Sequence, residues 1–200
     1  MRIRYAILIA LSLMLVAFIS GSRLFTISDL AGDVALVTST GALHVSDVSS
    51  QQIYDGRIYI STHIEDSVAN GASHDHLIRV GTFVPIVNVT SSAGGDAELY
   101  IFESPSISAT GTIISSYNKN RNYSDTPTMD VYEDPTVTDT GTQLSEIFVP
   151  GGTGANSVGG TGTLQGEIIL EANTDYLIRA TNTAASAQDI SITTLWYEAQ

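Results

Sequence analysis

Asp55-Gly56-Arg57-Ile58-Tyr59-Ile60-Ser61 is the stretch that decides the fold. Asp-Gly is a strong turn signal, and the alternation that follows it sends successive side chains to opposite faces, as a strand does. The same grammar recurs along the chain. Residues 76–80, 83–90, 97–102, 112–117, 129–132 and 144–149 read as short strands, with Gly94-Gly95-Asp96 turning the chain between two of them. Residues 166–170, 176–182 and 189–197 read as closing strands, with a turn at Asn173-Thr174-Asp175. On the N-terminal side, 34–37 and 42–45 are the earliest strand candidates. Residues 150–162 are rich in Gly, Thr, Ser and Asn and read as a loop, either disordered or an ordered binding loop. Beyond residue 22 nothing sustains helical periodicity, and at most one helical turn is expected over 66–72. Regular short strands separated by turn signals predict an all-β sandwich or barrel.

Composition narrows the function classes. At 200 residues one sizeable core is expected, burying about 70% of the unfolded surface without staples. There is no cysteine, so disulfides, thiolate metal sites and a cysteine nucleophile are excluded. The net charge is −13 with eight Lys and Arg, a balance that repels phosphate backbones and argues against nucleic-acid binding.

Residues 1–22 stand apart from the rest. Arg2 and Arg4 precede an apolar run over 5–19, and Ser20-Gly21-Ser22 follows. A basic start, an apolar centre and a small-residue end describe a secretory signal. The run is short for a membrane span, which needs about 20 apolar residues. An uncleaved anchor, a hydrophobic assembly arm and a start placed too early are the alternatives, and a membrane contact is expected only if the segment is retained as an anchor. The organisation expected is a hydrophobic segment over 1–22, an arm or linker over 23–41 and the β domain over 42–200.

One internal echo is present. Glu103-Ser104-Pro105-Ser106-Ile107-Ser108-Ala109-Thr110-Gly111-Thr112 returns thirty positions later as Glu133-Asp134-Pro135-Thr136-Val137-Thr138-Asp139-Thr140-Gly141-Thr142. Each copy follows an aromatic strand end. Two copies do not make a solenoid, and the expectation is two similar strand-end loops within one sandwich.

Few residues suggest chemistry. His74-Asp75-His76 places two imidazoles on one face of a strand, with His63 or Asp66 as a third ligand. The turn signals at 70–73 argue instead for surface histidines, so no metal and no cofactor is assigned. No G-x-S-x-G elbow exists, and Glu65-Asp66, Glu98 and Glu133-Asp134 read as solvated acids. Asp125, Asp130, Glu133, Asp134 and Asp139 lack the EF-hand spacing for calcium. No catalytic residue is assigned. Asn118, Lys119, Asn120, Arg121 and Asn122 form the basic cluster of this acidic chain. The asparagines suit tight turns, and Arg121 suits a bidentate contact with a carboxylate of a neighbouring subunit.

Several pieces taken in order carry a family resemblance. They are Ile53-Tyr54-Asp55-Gly56, Leu77-Ile78-Arg79-Val80, Gly94-Gly95-Asp96-Ala97-Glu98-Leu99-Tyr100, Tyr117-Asn118-Lys119-Asn120-Arg121, Val131-Tyr132-Glu133-Asp134-Pro135 and Val149-Pro150-Gly151-Gly152. Tyr176-Leu177-Ile178-Arg179-Ala180-Thr181-Asn182, Ile190-Ser191-Ile192 and Trp196-Tyr197-Glu198 close the series. Together they resemble a family of tailed-bacteriophage virion proteins, the capsid decoration or cement proteins, over roughly 42–198. The resemblance implies a jelly-roll-like β-sandwich, often trimeric, on the outer capsid surface. It implies a non-enzymatic protein that stabilises the capsid through contacts with the major capsid protein. The signal-like segment 1–22 departs from that pattern and keeps open an exported surface- or carbohydrate-binding β-sandwich.

Overall fold

The computed structural model describes residues 26–28, 34–36, 48–151, 159–164 and 166–198. Contacts divide the chain into two units, Met1–Val48 and Ser49–Gln200. In the first, β1 (Thr26–Ser28) and β2 (Val34–Leu36) pair antiparallel. The hydrophobic segment 1–22 and the strand expected at 42–45 lie outside the described residues.

A short helix, α1 (Val48–Tyr54), leads into the second unit. The strands then run β3 (Ile58–Val68), β4 (Ser73–Arg79), β5 (Pro85–Ala93), β6 (Ala97–Glu103), β7 (Ser106–Ala109), β8 (Thr112–Ile113), β9 (Tyr117–Asn118) and β10 (Asp130–Glu133). They continue with β11 (Thr136–Asp139), β12 (Thr142–Val149), β13 (Gly160–Thr163), β14 (Ile168–Ile169), β15 (Asp175–Asn182) and β16 (Gln188–Glu198). One sheet has the order β12-β6-β15-β4-β10-β8; the other has β13-β5-β16-β3-β9, with β14 also pairing β5. Setting aside β7 to β11, β3-β16-β5-β13/β14 faces β4-β15-β6-β12. Counted along the chain these are strands 1-8-3-6 against 2-7-4-5, the jelly-roll arrangement. The all-β sandwich is therefore as expected.

Strand alternation builds the core. Along β5 and β16 alternate positions are buried, and Tyr59, Val87, Val89, Ile190, Ile192 and Trp196 meet Ile78, Leu99, Ile101, Ile178 and Ala180 of the other sheet. Trp196, 1% exposed, stacks on Tyr59 with centroids 5.7 Å apart, so it belongs to the core.

The first sheet carries an internal two-fold relation. Asp75-His76-Leu77-Ile78-Arg79 on β4 lies antiparallel to Asp175-Tyr176-Leu177-Ile178-Arg179 on β15, with Leu77 directly opposite Leu177. Arg79 forks onto Asp175 (3.0 and 2.9 Å) and Arg179 onto Asp75 (2.8 and 2.6 Å). Outside this pair, β6 and β10 are equivalent, and so are β12 and β8. The thirty-residue echo completes the symmetry. The chain leaves β6 at Glu103, passes through β7, and enters β8 beside β10; it leaves β10 at Glu133, passes through β11, and enters β12 beside β6. The two crossing segments pair as an antiparallel ribbon, in which Ser108 Oγ donates to Thr136 O and Thr138 Oγ1 donates to Ser106 O. The expected strand-end loops are thus two interlocked crossovers. Their route runs over the outward face of β15 and β4, and Leu77 and Leu177 are fully buried there although they lie outside the inter-sheet core.

Glycine is required where each crossover ends. Gly111 (φ +82°) abuts the Glu133 carbonyl and Gly141 (φ +79°) the Glu103 carbonyl, so closely that a Cβ would fall 1.9 and 2.2 Å from those oxygens. Ser104 (φ 55°) and Asp134 (φ 52°) take left-handed backbone at equivalent places, just before the two prolines.

Asp55-Gly56 is the expected turn before a strand, and it also ends α1: Gly56 (φ +70°) sits at the helix C-terminus, where left-handed glycine is favoured. Two local expectations are corrected. The helical turn expected over 66–72 is instead the end of β3 and a turn. Part of the loop expected over 150–162 is strand β13, held on β5.

Candidate functional site

The basic cluster sits on a loop built from asparagine side chains. β9 pairs with β3, Asn118 opposite Tyr59. Asn118 Nδ2 donates to the Gly56 carbonyl (2.6 Å), and its Oδ1 accepts from Asn120 N (2.8 Å). Asn120 in turn donates to the Tyr54 carbonyl (3.0 Å) and accepts from Asn122 N (3.1 Å). Lys119 N bonds the Ile58 carbonyl, and Tyr123 N bonds the Asn120 carbonyl. The Tyr123 ring lies against Gly56, where no side chain stands. The asparagines therefore act as local turn formers, tying the loop to α1 and β3.

This frame sorts the five residues of the cluster. Asn118 is 5% exposed and its amide is fully engaged, so it holds the loop and offers no contact surface. Lys119, Arg121 and Asn122 are exposed, and Asn120 is half-buried. The Arg121 guanidinium stands 5.3 Å from the Tyr117 ring centroid, within cation–π range. Tyr54, Tyr117 and Tyr123 are 71%, 54% and 44% exposed. Three exposed tyrosines and an arginine thus lie along the edge that the asparagines tie to α1 and β3. The tyrosines were not singled out from the sequence, because Tyr54 and Tyr123 approach Asn120 and Gly56 only once α1 has folded.

The histidines are not where the sequence placed them. His74 and His76 are both fully buried on the inward face of β4, and His63 projects from β3 in the opposite sheet. The ring centroids are 4.8 Å (His74–His76), 5.3 Å (His63–His74) and 6.3 Å (His63–His76) apart. His63 Nε2 lies 2.5 Å from Glu133 Oε2, but the contact is misdirected and Glu133 Oε2 makes no directed hydrogen bond. Both ring nitrogens of His74 and His76, and Nδ1 of His63, are buried without partners. Burial, reinforced by repulsion from His63, pushes His74 down to about 4. Burial, with repulsion from His74 and His63, holds His76 well below the ordinary histidine value. Both rings are neutral at physiological pH.

Of the remaining acids, Glu65 and Asp134 come together at His74, one donor atom of each of the three lying within 4.8 Å of the others. Asp139 caps the Gly141 amide (2.8 Å), Asp130 approaches the Tyr132 hydroxyl (3.4 Å), and Asp125 is exposed. Glu133 Oε2 lies against His63 Nε2. One carboxylate with a purely structural setting was missed. Glu198, 1% exposed, accepts from Thr128 N and Oγ1, Met129 N and Trp196 Nε1. An open groove of about 890 Å³ is lined by small residues of 92–95, 159–161 and 184–189, and its Asp189 accepts from Ser67 N.

No family model and no curated protein sequence matches the chain. Among solved structures, the cyanophage Pam1 capsid asymmetric unit aligns at 9% identity over 70% of this chain and 83% of that one, TM-score 0.26. An exo-β-1,3-galactanase from Phanerochaete chrysosporium aligns at 11% identity over 80% of this chain and 32% of that one, TM-score 0.24. The infectious bursal disease virus VP2 subviral particle aligns at 13% identity over 71% of this chain and 41% of that one, TM-score 0.20. Superpositions this loose carry no argument about function.

Proposed function

We propose that the protein is a non-enzymatic virion structural protein that decorates and stabilises a phage capsid from its outer surface, as a homo-oligomer (a trimer), through contacts with the major capsid protein. The observation that carries this reading is the exposed edge formed by Tyr54, Tyr117, Tyr123 and Arg121. Tyrosine and arginine are the residues enriched at protein–protein hot spots. The asparagine frame beneath them pre-orders the surface, which lowers the entropy lost on docking. The exposed cations Lys119 and Arg121 in a chain of net charge −13 select an acidic patch on the partner and disfavour self-association through other faces. The jelly-roll scaffold and the ordered resemblance over 42–198 agree with this role.

Quantitative mass spectrometry of purified particles tests it. A copy number comparable to that of the major capsid protein is expected, with attachment weakened at least tenfold by Arg121→Ala or Tyr117→Ala in otherwise folded protein. Absence from the particle, with a mature form beginning near residue 23 in the medium, would overturn the reading in favour of an exported surface-binding protein.

A further inference from the structure

We propose that His63, His74 and His76 bind one late first-row divalent metal ion of the Zn²⁺ class, with Glu133 closing the site. The three imidazoles come from opposite sheets, β3 on one side and β4 on the other, so a bound ion clasps the sandwich along one side.

The spacing suits such an ion. A Zn–N bond of about 2.0–2.1 Å with the ring centre about 1.1 Å beyond it puts the centroids of a tetrahedral site about 5.2 Å apart. The observed separations of 4.8, 5.3 and 6.3 Å bracket that value. One donor atom from each ring already lies within 4.8 Å of the others, and rotation of the side chains brings them to coordination distance. The chemistry fits as well. Three imidazoles and one carboxylate suit Zn²⁺, Cu²⁺, Fe²⁺ or Ni²⁺, whereas Ca²⁺ and Mg²⁺ prefer all-oxygen shells.

The second, independent observation is the set of orphaned nitrogens. Buried polar atoms are almost always hydrogen-bonded, and exceptions in a native protein call for a ligand, ion or water. Here His74 and His76 are fully buried with all four ring nitrogens unpartnered. The internal symmetry provides a control. Tyr176 occupies the position equivalent to His76, and Glu103 the position equivalent to Glu133. In that half Tyr176 Oη donates to Glu103 Oε1 at 2.9 Å, and the corner is satisfied internally. Of these two equivalent corners, the one carrying histidines leaves its polar atoms open. Access is available, because the His63 and Glu133 side chains are 31% and 20% exposed.

The test uses the untagged full-length chain, stripped with a chelator and titrated with Zn²⁺ by calorimetry and with Co²⁺ by visible absorption. One equivalent of metal, the intense visible bands of four-coordinate cobalt and a higher Tm in the metal-bound form are expected. Because loss of groups that merely orient ligands weakens metal sites about 10–100-fold, His63→Gln and His74→Gln should each weaken binding at least that much. Glu146→Gln, which alters an exposed carboxylate on β12 at the far edge of the sheet, should leave it unchanged. No binding at millimolar metal, or binding that survives both ligand substitutions, would overturn the proposal. If the buried variants fail to fold, the cobalt spectrum of the unmodified protein still decides: weak six-coordinate bands would overturn it, and tetrahedral bands with nitrogen ligation would support it.

Discussion

Glu198→Ala should be among the most destabilising single substitutions outside the hydrophobic core. The carboxylate lies at the end of β16, 1% exposed. Oε1 accepts from Met129 N at 3.0 Å and Trp196 Nε1 at 3.1 Å, and Oε2 from Thr128 Oγ1 at 3.0 Å, while Thr128 N is shared between both oxygens. Truncation leaves the Met129 and Trp196 donors buried without partners, whereas the Thr128 donors belong to an exposed residue and can turn to water. Each buried orphan costs about 1–3 kcal/mol, so two give about 2–6 kcal/mol. Relief of the carboxylate's own desolvation works in the opposite direction, which selects about 3 kcal/mol. For a chain of this size that corresponds to a Tm lower by roughly 6–12 °C. Glu198→Gln keeps the volume and one acceptor oxygen but turns an NH₂ group toward donors, and should lose about half as much. The assay is urea unfolding followed by the fluorescence of Trp196, the single tryptophan, alongside far-ultraviolet circular dichroism. A shifted midpoint with unchanged slope isolates the stability term. A loss below about 1 kcal/mol for the alanine variant would refute the reasoning, because it would mean that the two buried donors find other partners.

Two further outcomes follow from the internal symmetry. Gly111→Ala and Gly141→Ala each force a Cβ onto a carbonyl oxygen at positive φ, and each should cost about 2–4 kcal/mol from strain and overpacking together. Unfolding free energies from urea titrations differing by more than about 1.5 kcal/mol between them would contradict the equivalence of the two crossovers. Arg179→Ala should cost about 1–2 kcal/mol, because its bidentate pair with Asp75 is largely buried, whereas Arg79→Ala should cost less than about 1 kcal/mol, because its pair with Asp175 is more exposed and screened. Thermal melts at low and high salt should show the Arg79 pair to be the more salt-sensitive; equal losses at both sites would count against the burial argument.

Strands that alternate cleanly were legible in the sequence. Residues 97–102, 176–182 and 189–197 coincide closely with β6, β15 and β16. The elements that escaped notice have a common physical reason. β7, β11 and β13 are four-residue strands, each at least half Ser, Thr or Gly and too short to display alternation, and their strand character comes from pairing with distant partners. Helix α1 spans 7 residues, about two turns, too short to display a period. The asparagine loop was legible as a set of turns, because Asn118 and Asn120 each accept from an amide two residues on; its ties to Gly56 and Tyr54 and its tyrosine rim were not, because they form only through the fold.

The histidines were misread because the face of β4 is locally ambiguous. Leu77 and Ile78 are adjacent, apolar and both fully buried, one beneath the crossover ribbon and the other in the inter-sheet core. Period-two reading cannot say which face is inward when both are covered. The longer echo resolves the ambiguity. Asp75 and Arg79 return as Asp175 and Arg179, and two antiparallel copies with Leu77 opposite Leu177 bring each arginine to the other copy's aspartate. Ion pairs of that kind belong on an outward face, which puts His76, of opposite parity, inside. Departures from an internal repeat then acquire chemical meaning: a tyrosine that closes its corner in one copy is a histidine in the other. It is this substitution, with His63 facing it from the other sheet, that gathers three imidazoles in one corner of the sandwich.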